Sequence, residues 1–454
     1  MCIYRRYLLC ESILWQLFCL YNENNKGYGY ASLSWMCGSQ AAAQYVPSFY
    51  SIILGKGVEM KDIVNKINAR VRCGSSVDED TKSNWIYFCH EYVHFLQDLR
   101  CSFLMGCGLR RMKKALGSQT SGCIDGAPDL KECPDGLRVK CCNVDKETGT
   151  AEVRFYEYAD KNYHFSDLDL CEAIAKILED KLWKLYGCPH ATKYIPYDVP
   201  YCVAEYLLDE NIIPSDDLRP IVVDVCEAAL MTKSPGLAFI SYFQSVGKTG
   251  GCKSICYQDV LEWFSNNNVE MCEEFDTDVF CQQLLMILKA PHLSSFACWV
   301  TSEVELIRKI CLGRRIGLFR AIYEECLFGK ASTADQCAML TERVGYPLIM
   351  NDKYMDCDAR ISDNVSKYIP SLITAYDIAC NEGKSTSCFS LPYCKAADAT
   401  RNLGNDSMVS DYCQSNPVKV NHGNHKCPFE VVWRLRDSVD DSDADDVKGA
   451  DSSV

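Results

Sequence analysis

Two histidines and a glutamate lie close together in the segment His90-Glu91-Tyr92-Val93-His94, an H-E-x-x-H pentad. On a helix, side chains four residues apart lie on the same face, so both imidazoles can bind one metal ion. This spacing suits zinc, and Glu91 beside the first histidine can act as general base for an attacking water. The pentad therefore predicts a zinc (Zn²⁺) site with His90 and His94 as ligands and Glu91 as the catalytic residue.

The pentad must lie on a helix for this chemistry, and residues 83–100 have the pattern of one. Asp78 or Asp80 can cap its N-terminus. We expect the helix to reach Gly106, with a break or bend at 105–108, where two glycines occur. Apolar residues recur at steps of three and four and form a stripe beside the histidines: Trp85, Phe88, Tyr92, Phe95 and Leu99.

A catalytic zinc usually has three protein ligands, so a third must come from elsewhere in the chain. Our first candidate is Glu172, near the start of a strong helical pattern that follows a predicted hairpin. Ala173 and Ala175 are small enough to let this helix approach the pentad helix closely. The competing interpretation is a glutamate near a helix N-terminus that faces solvent and interacts favourably with the helix dipole.

Several other side chains could complete or assist the site. Glu227 also lies among small residues on a predicted helix and is the second candidate for the third ligand, followed by His164 and Glu205. His164 or Tyr163 fits better as a donor to a developing oxyanion than as a ligand. All four residues have ordinary structural interpretations as core, loop or surface side chains.

Groups that orient the ligand imidazoles are a further requirement of a metal site. Gln97 and Asp98 follow His94 by three and four residues, and Asp224 lies on the predicted helix of Glu227. The sequence does not assign this role to any one of them.

The segment His90 to Asp98, followed by a hairpin and then Glu172-Ala173-Ile174-Ala175, resembles the zincin metallopeptidases. It is similar to the gluzincin branch, in which a glutamate on a later helix completes the site. Small bacterial zincins with a Glu-x-x-Ala helix, such as repressor-cleaving regulatory peptidases, are the nearest analogy. The resemblance covers roughly residues 45–240, and only the pentad is strongly specific.

This resemblance implies a zincin-like fold with His90, His94 and Glu172 as metal ligands and Glu91 as the base. The gap between His94 and Glu172 is longer than in most minimal zincins. The residues after the pentad lack the H-x-x-G-x-x-H extension, which excludes a metzincin.

Composition and charge narrow the class of protein. Of 454 residues, 48% are hydrophobic and 24% charged, as in an ordinary globular protein. The net charge of −14 argues against nucleic acid or an anionic membrane as the main partner. Since no run of 18 apolar residues occurs, we expect no membrane span.

The 30 cysteines are spread over the whole chain and do not form a compact framework. We expect a cytoplasmic protein in which most cysteines are free, buried and act as small hydrophobic residues. An extracytoplasmic protein with disulfides is the alternative. Cys388, Cys394, Cys413 and Cys427 could form a structural zinc site, but without a C-x-x-C pair coincidence is the better explanation.

The pattern predicts an α+β, mainly helical fold. We divide the chain into a poorly defined leader (1–44), a zincin-like metal-binding domain (45–240), a helical domain (241–382) and an irregular, cysteine-containing region with an acidic tail (383–454). A strand is expected at Tyr45–Leu54 and a hairpin at 137–156. Helices are expected at 58–71, 170–186, 200–208, 218–231, 257–266, 279–288, 302–319 and 370–380, with Asp167 or Asp169 opening the second of these.

These features together predict a zinc metallopeptidase-like hydrolase that acts on a peptide or protein substrate. The alternative is a non-catalytic zinc-binding or protein-interaction protein that keeps the zincin fold. Hydrolysis that depends on metal and on Glu91 would distinguish the two. The sequence does not predict the substrate or the oligomeric state.

Overall fold

The chain is mainly helical with small sheets, which confirms the predicted α+β, mainly helical class. The computed structural model describes residues 43–54, 58–73, 76–117, 137–158, 162–187, 195–208, 215–249, 255–272, 277–288, 293–350, 355–356, 368–380, 387–391, 394–395, 409–419 and 427–435. The predicted leader 1–44 and the acidic tail lie almost wholly outside these residues.

The helices and strands are numbered in chain order. The helices are α1 (Met60–Cys73), α2 (Glu79–Arg100), α3 (Ser102–Ala115), α4 (Asp167–Leu185), α5 (Ile195–Leu207), α6 (Ser215–Ala229), α7 (Pro235–Thr249), α8 (Tyr257–Asn266), α9 (Thr277–Ile287), α10 (Ser294–Cys311), α11 (Leu318–Tyr323), α12 (Thr333–Arg343) and α13 (Ile369–Cys380). The strands are β1 (Ala43–Val46), β2 (Ser51–Leu54), β3 (Val139–Asp145), β4 (Thr150–Phe155), β5 (Tyr163–His164), β6 (Leu348–Met350) and β7 (Met355–Asp356).

The described strands form two sheets. In the first, with the order β1-β2-β6-β7, only β2 and β6 are parallel; the second is the antiparallel sheet β3-β4-β5. The predicted hairpin at 137–156 is therefore confirmed. The predicted single strand Tyr45–Leu54 is wrong, because residues 47–50 form a turn between β1 and β2. Ser48 and Tyr50 have positive φ angles of 69° and 49° there, which reverse the chain.

Helix α2 carries the pentad and begins as predicted. The side chain of Asp78 accepts a hydrogen bond from the backbone N–H of Thr81 and so caps the helix. The predicted break at 105–108 is wrong: the chain leaves the helix at Cys101, which is extended (φ −98°, ψ 118°), and α3 then runs through both glycines. At Gly108 the helix passes close to the turn that follows β1, since a β-carbon there would lie 3.4 Å from Cβ of Ser48, in van der Waals contact.

Helix α4 carries Glu172 and begins three residues before the predicted Leu170. Its cap is Ser166, whose hydroxyl accepts from the N–H of Leu168, while Asp169 accepts from the N–H of Ser166 at 2.8 Å. This reciprocal arrangement is a capping box, so Asp169 supports the start of the helix without being the cap itself. Gly187, with φ of 74°, follows the end of the helix as predicted.

The later part of the chain is helical, as expected. The predicted helix 302–319 is wrong as a single element: α10 ends at Cys311, and Gly313 (φ 74°) precedes the separate helix α11. Helices α7 and α12 were not predicted; α7 begins with Pro235-Gly236, residues that usually signal a turn. Helices are confirmed, with shifts of at most three residues at their ends, at 58–71, 170–186, 218–231, 257–266, 279–288 and 370–380. The helix predicted at 200–208 is present, but its predicted start is wrong: α5 begins at Ile195, and Pro200 lies inside it.

One hydrophobic cluster extends from β1 to the helical residues 428–435. For example, the ring of Tyr50 lies 6.1 Å from that of Phe296 and 6.2 Å from that of Trp299. The predicted boundary between residues 240 and 241 falls inside α7, and the division into separately folding domains stays a prediction. Among the helices described, none combines the length and apolar character that a membrane span requires.

Many cysteines lie in this core. The thiols of Cys89, Cys101, Cys107, Cys171, Cys226 and Cys337 are free and buried. The expectation that cysteines act as small hydrophobic residues is confirmed for these positions. The cellular compartment stays a prediction.

Candidate metal centre

The two pentad histidines point at a common position on the side of α2. Nε2 of His90 and Nε2 of His94 are 3.3 Å apart, as the i, i+4 spacing predicts. His90 is 3% exposed, and the side chain of His94 is 14% exposed. Both imidazoles are therefore largely removed from water and need partners within the protein.

The third member of the group is Glu172 on α4. Its Oε2 lies 3.5 Å from Nε2 of His90 and 3.7 Å from Nε2 of His94. Ala173 and Ala175 next to it are fully buried, in agreement with close packing of this helix. Among the described residues, these three form the one group of histidine, cysteine or carboxylate side chains whose ligand atoms all lie within 4.8 Å of one another.

In each imidazole, the nitrogen that faces away from the shared position, Nδ1, also has a partner. Nδ1 of His94 is 2.9 Å from Oε1 of Gln97, whose amide group donates to the carbonyl of Cys171 on α4. Since Oε1 can only accept, Nδ1 of His94 carries a proton, and Nε2 is the nitrogen that faces the shared position. Gln97 is thus one of the predicted orienting groups that the structure brings to the site.

The partner of His90 was not predicted. Its Nδ1 lies 2.8 Å from Oε2 of Glu179, at ion-pair distance, and the other oxygen of this fully buried carboxylate, Oε1, accepts from the indole N–H of Trp183 at 2.9 Å. Glu179 follows Glu172 by seven residues, or two helical turns. This spacing on one face of α4 is the sequence signal that could have identified it.

The pKa values reflect these contacts. Burial alone would lower the pKa of His90, but the Glu172 and Glu179 carboxylates outweigh burial and raise this pKa well above its usual range. Burial alone would raise the pKa of Glu172, but His94 and His90 outweigh it and lower this pKa to about 2. The group therefore holds charge of both signs in a site that excludes most water.

Glu91 lies beside the group but contacts another part of the chain. It is 8% exposed, and its Oε2 accepts a hydrogen bond of 2.7 Å from the backbone N–H of Tyr45 on β1. Burial raises the pKa of Glu91, although His90 and His94 act in the opposite direction. The ring of Tyr45 stacks on that of His94 with centroids 6.4 Å apart, so β1 forms one wall of the site.

The structure places the rival third ligands elsewhere. Glu227 pairs with Nε of Arg100 at 3.0 Å and accepts from the N–H of Phe319 at 3.2 Å. Glu205 is exposed, and His164 lies on the short strand β5. These three residues are outside the group formed by His90, His94 and Glu172.

The remaining polar candidates also have other partners. The hydroxyl of Tyr163 donates to Asp169, which directs it to the start of α4. Asp224 accepts from the guanidinium of Arg320 at 2.9 Å. Asp98 accepts from Tyr45 and from the backbone of the β1–β2 turn, so it holds the hairpin and does not contact an imidazole nitrogen directly.

The four C-terminal cysteines are buried but do not make a second group of this kind. The backbone N–H of Cys388 donates to the carbonyl of Cys413 at 2.8 Å, which brings two of the segments together. Cys394 and Cys427 are also buried. Within the described chain, their sulfur atoms are not part of any cluster that meets the 4.8 Å criterion.

Comparison with known proteins adds no relative. No protein-family model, no curated protein and no solved structure matches this chain. The similarity to gluzincins therefore stays a prediction from the pentad and from Glu172. What can be said of the site follows from its own donors: two imidazole nitrogens and one carboxylate oxygen, a set that could bind a metal ion.

Proposed function

We propose that the chain is a zinc-dependent peptidase of the zincin type, with His90, His94 and Glu172 as metal ligands. The observation that supports this is the spacing of the three donor atoms. Two donors about 2.1 Å from one tetrahedral zinc lie about 3.4 Å apart. The corresponding distances here are 3.3 Å, 3.5 Å and 3.7 Å.

The carboxylates of the site favour binding of a divalent cation. Three carboxylates, those of Glu91, Glu172 and Glu179, surround the two histidines in a buried environment. Buried carboxylates need compensation by a cation, and a bound zinc would supply two positive charges. Gln97 and Glu179 would hold the imidazoles in the ligand orientation, as outer partners do in metal sites.

The reaction we propose is hydrolysis of a peptide bond. When bound, zinc would polarise the scissile carbonyl and lower the pKa of a coordinated water towards 7. Glu91 would take the proton from the attacking water and pass it to the leaving amine as general base and then general acid. Burial of Glu91, which raises its pKa, favours the proton-carrying form that the second step needs.

The first test joins metal content with cleavage. We expect about one zinc per chain in the purified protein by elemental analysis and loss of this zinc in His94→Ala. In a peptide library, the zinc-loaded protein should cleave, and a chelator should abolish cleavage. Glu91→Gln should keep the zinc and lose hydrolysis, because a neutral amide cannot accept the proton.

Two outcomes would contradict the proposal. If neither the wild type nor His94→Ala holds metal, the three residues are a structural hydrogen-bonded group. If Glu91→Gln cleaves as fast as the wild type, Glu91 is not the base. Glu305→Gln, an exposed substitution on α10, serves as the matched control for the effect of removing a carboxylate.

The alternative is a zinc-binding protein without turnover. The low exposure of the ligand side chains, 3% for His90 and 17% for Glu172, favours this reading because structural metal sites are closed. Under this alternative, the wild type should hold zinc and His94→Ala should lose it. A chelator should lower the melting temperature of the wild type, but no peptide should be cleaved. The library screen therefore separates the two functions.

A further inference from the structure

The turn between β1 and β2 is strained and tightly held against helix α2. Ser48 and Tyr50 are buried and have positive φ angles of 69° and 49°, which are unfavourable for residues with a side chain. Such conformations persist when the surrounding structure fixes them, and they are frequent near functional sites. The hydrogen bonds of this turn with the rest of the protein are therefore expected to hold it in this conformation.

The main anchor is Asp98, one helical turn after His94. Its Oδ2 accepts from the hydroxyl of Tyr45 at 2.8 Å and from the backbone N–H of Ser48 at 2.5 Å. Arg111 on α3 donates to Oγ of Ser48 at 2.6 Å. Because Asp98 is only 3% exposed, these bonds are shielded from water and hold the hairpin in one position on α2.

The hairpin in turn holds Glu91. The backbone N–H of Tyr45 donates to Oε2 of Glu91 at 2.7 Å, and this bond joins β1 to the residue beside the first ligand. We propose that Asp98 and the β1–β2 hairpin are a positioning device that fixes the carboxylate of the general base through the Tyr45 amide. This inference rests on the proposed function, since it assigns a role within that reaction.

The reason is geometric. A glutamate side chain rotates about three bonds, and a base works only when its oxygen lies within hydrogen-bond distance of the reacting water. One oxygen held by a backbone amide leaves the second oxygen of Glu91 for the water. Misplacement by about 1 Å can reduce turnover by about 100-fold, so a fixed amide donor has a measurable effect.

The position of β1 in the sheet allows a direct test of this amide. β1 is the edge strand of the order β1-β2-β6-β7, and the N–H of Tyr45 points to Glu91 instead of to β2. Proline is tolerated on an edge strand where no ladder bond is lost. Tyr45→Pro therefore removes the donor, and Tyr45→Ala is its matched control, because both lose the ring and only the first loses the N–H.

In the zinc-loaded full chain, we expect kcat of Tyr45→Pro to be about 10-fold to 100-fold below that of Tyr45→Ala, with KM and zinc content equal. Asp98→Asn should lower kcat by a smaller factor and also keep zinc, because it weakens only the anchor. Equal kcat for the proline and alanine variants would overturn the positioning role while the peptidase function stands. A wild type that cleaves no peptide would instead overturn the function and this role with it.

A measurement without turnover tests the bond itself. Hydrogen exchange of the Tyr45 amide should be faster in Glu91→Ala than in Glu91→Gln, because the glutamine keeps an acceptor oxygen and alanine does not. Equal exchange in the two variants would overturn the proposal even if Tyr45→Pro fails to fold. Thermal unfolding of each variant identifies any that lose the fold.

Discussion

Two carboxylates on helices packed near α2, those of Glu172 and Glu227, have similar neighbours in the sequence but contact side chains of different kinds. Glu172 on α4 faces two histidines whose Nε2 atoms converge on its Oε2. Glu227 on α6 faces Arg100, in the last turn of the pentad helix, at 3.0 Å. The difference teaches that the partner on α2, and not the context of the glutamate itself, decides which carboxylate can bind metal.

Arg100, Arg320, Glu227 and Asp224 form a second charged group, which we call the arginine cluster. Its positive and negative charges are balanced by side chains of the protein itself. Arg100 pairs with Glu227, and Arg320 pairs with Asp224 at 2.9 Å. Backbone donors complete the cluster, because Asp224 also accepts from the N–H groups of Tyr257 and Gly317, both at 2.9 Å. Two fixed cations meet two buried carboxylates, so this cluster needs no external ion.

The charges of the group formed by His90, His94 and Glu172, the metal group, are not balanced in this way. Among the described residues, the ion pairs of Glu172 are with His90 and His94 only. A histidine is a cation only when protonated, and protonation removes the lone pair that a metal needs. Metal and protons therefore compete for this site, whereas the guanidinium groups of Arg100 and Arg320 keep their charge at all ordinary pH values.

The largest effect should come from breaking the arginine cluster. Arg100→Met leaves Glu227 buried without its cation, and we expect the free energy of unfolding to fall by about 3–5 kcal/mol. Zinc content should not change. Denaturant unfolding measures the effect, and the double variant Arg100→Met, Glu227→Leu should be less destabilised than the single one. A double variant as unstable as Arg100→Met would show that the ion pair is not the cause.

The second prediction compares the same substitution at the two glutamates. We expect Glu172→Gln to weaken zinc binding by about 100-fold or more, since loss of an outer partner alone costs 10-fold to 100-fold. Glu227→Gln is the matched control and should keep the affinity of the wild type. Competition with a chromogenic chelator measures both. Equal affinity in both variants would remove Glu172 from the ligand set.

Much of this comparison could be predicted from the sequence. The pentad fixed the relation of His90 to His94, since the i, i+4 spacing depends only on helix geometry. Glu172 and Gln97 were also among the predicted candidates, and the structure brings both to the site. Contacts between residues far apart in the sequence could not be predicted. Nothing near Glu227 indicates that it contacts Arg100, 127 positions away.

The missed features have the same physical origin. Glu179 was recognisable by its spacing from Glu172, but only once α4 was known to pack with that face on α2. The turn that splits the predicted strand Tyr45–Leu54 depends on positive φ angles at Ser48 and Tyr50, residues that do not favour them. Contacts with Asp98 and Arg111 stabilise that turn at Ser48, and local propensity does not contain such contacts.

The third prediction concerns the outer partner of His90. We expect Glu179→Gln to lower zinc affinity by about 10-fold, because the amide orients the imidazole without the charge that raises its basicity. Glu305→Gln, on an exposed position of α10, is the control. The two variants are compared by the same chelator competition. Unchanged affinity in Glu179→Gln would leave this carboxylate with a purely structural role beside Trp183.

The smallest effect concerns the pH dependence of the arginine cluster. Burial raises the pKa of Asp224 to about 7, although Arg320 opposes this shift. The ordinary pKa of an aspartate is about 4. Between about pH 4 and pH 7 the folded chain therefore holds a proton that the unfolded chain has released, so the free energy of unfolding decreases as pH rises through this window.

Asp224→Asn removes this contribution, and its unfolding free energy should depend less steeply on pH than that of the wild type between about pH 4 and pH 7. Urea unfolding at several pH values measures the two slopes. The difference between them should be the same with zinc and with a chelator, because Asp224 lies outside the metal group. A difference that appears only with zinc would mean that the two regions are coupled through α2, and the comparison between a self-balanced cluster and a metal-dependent one would fail.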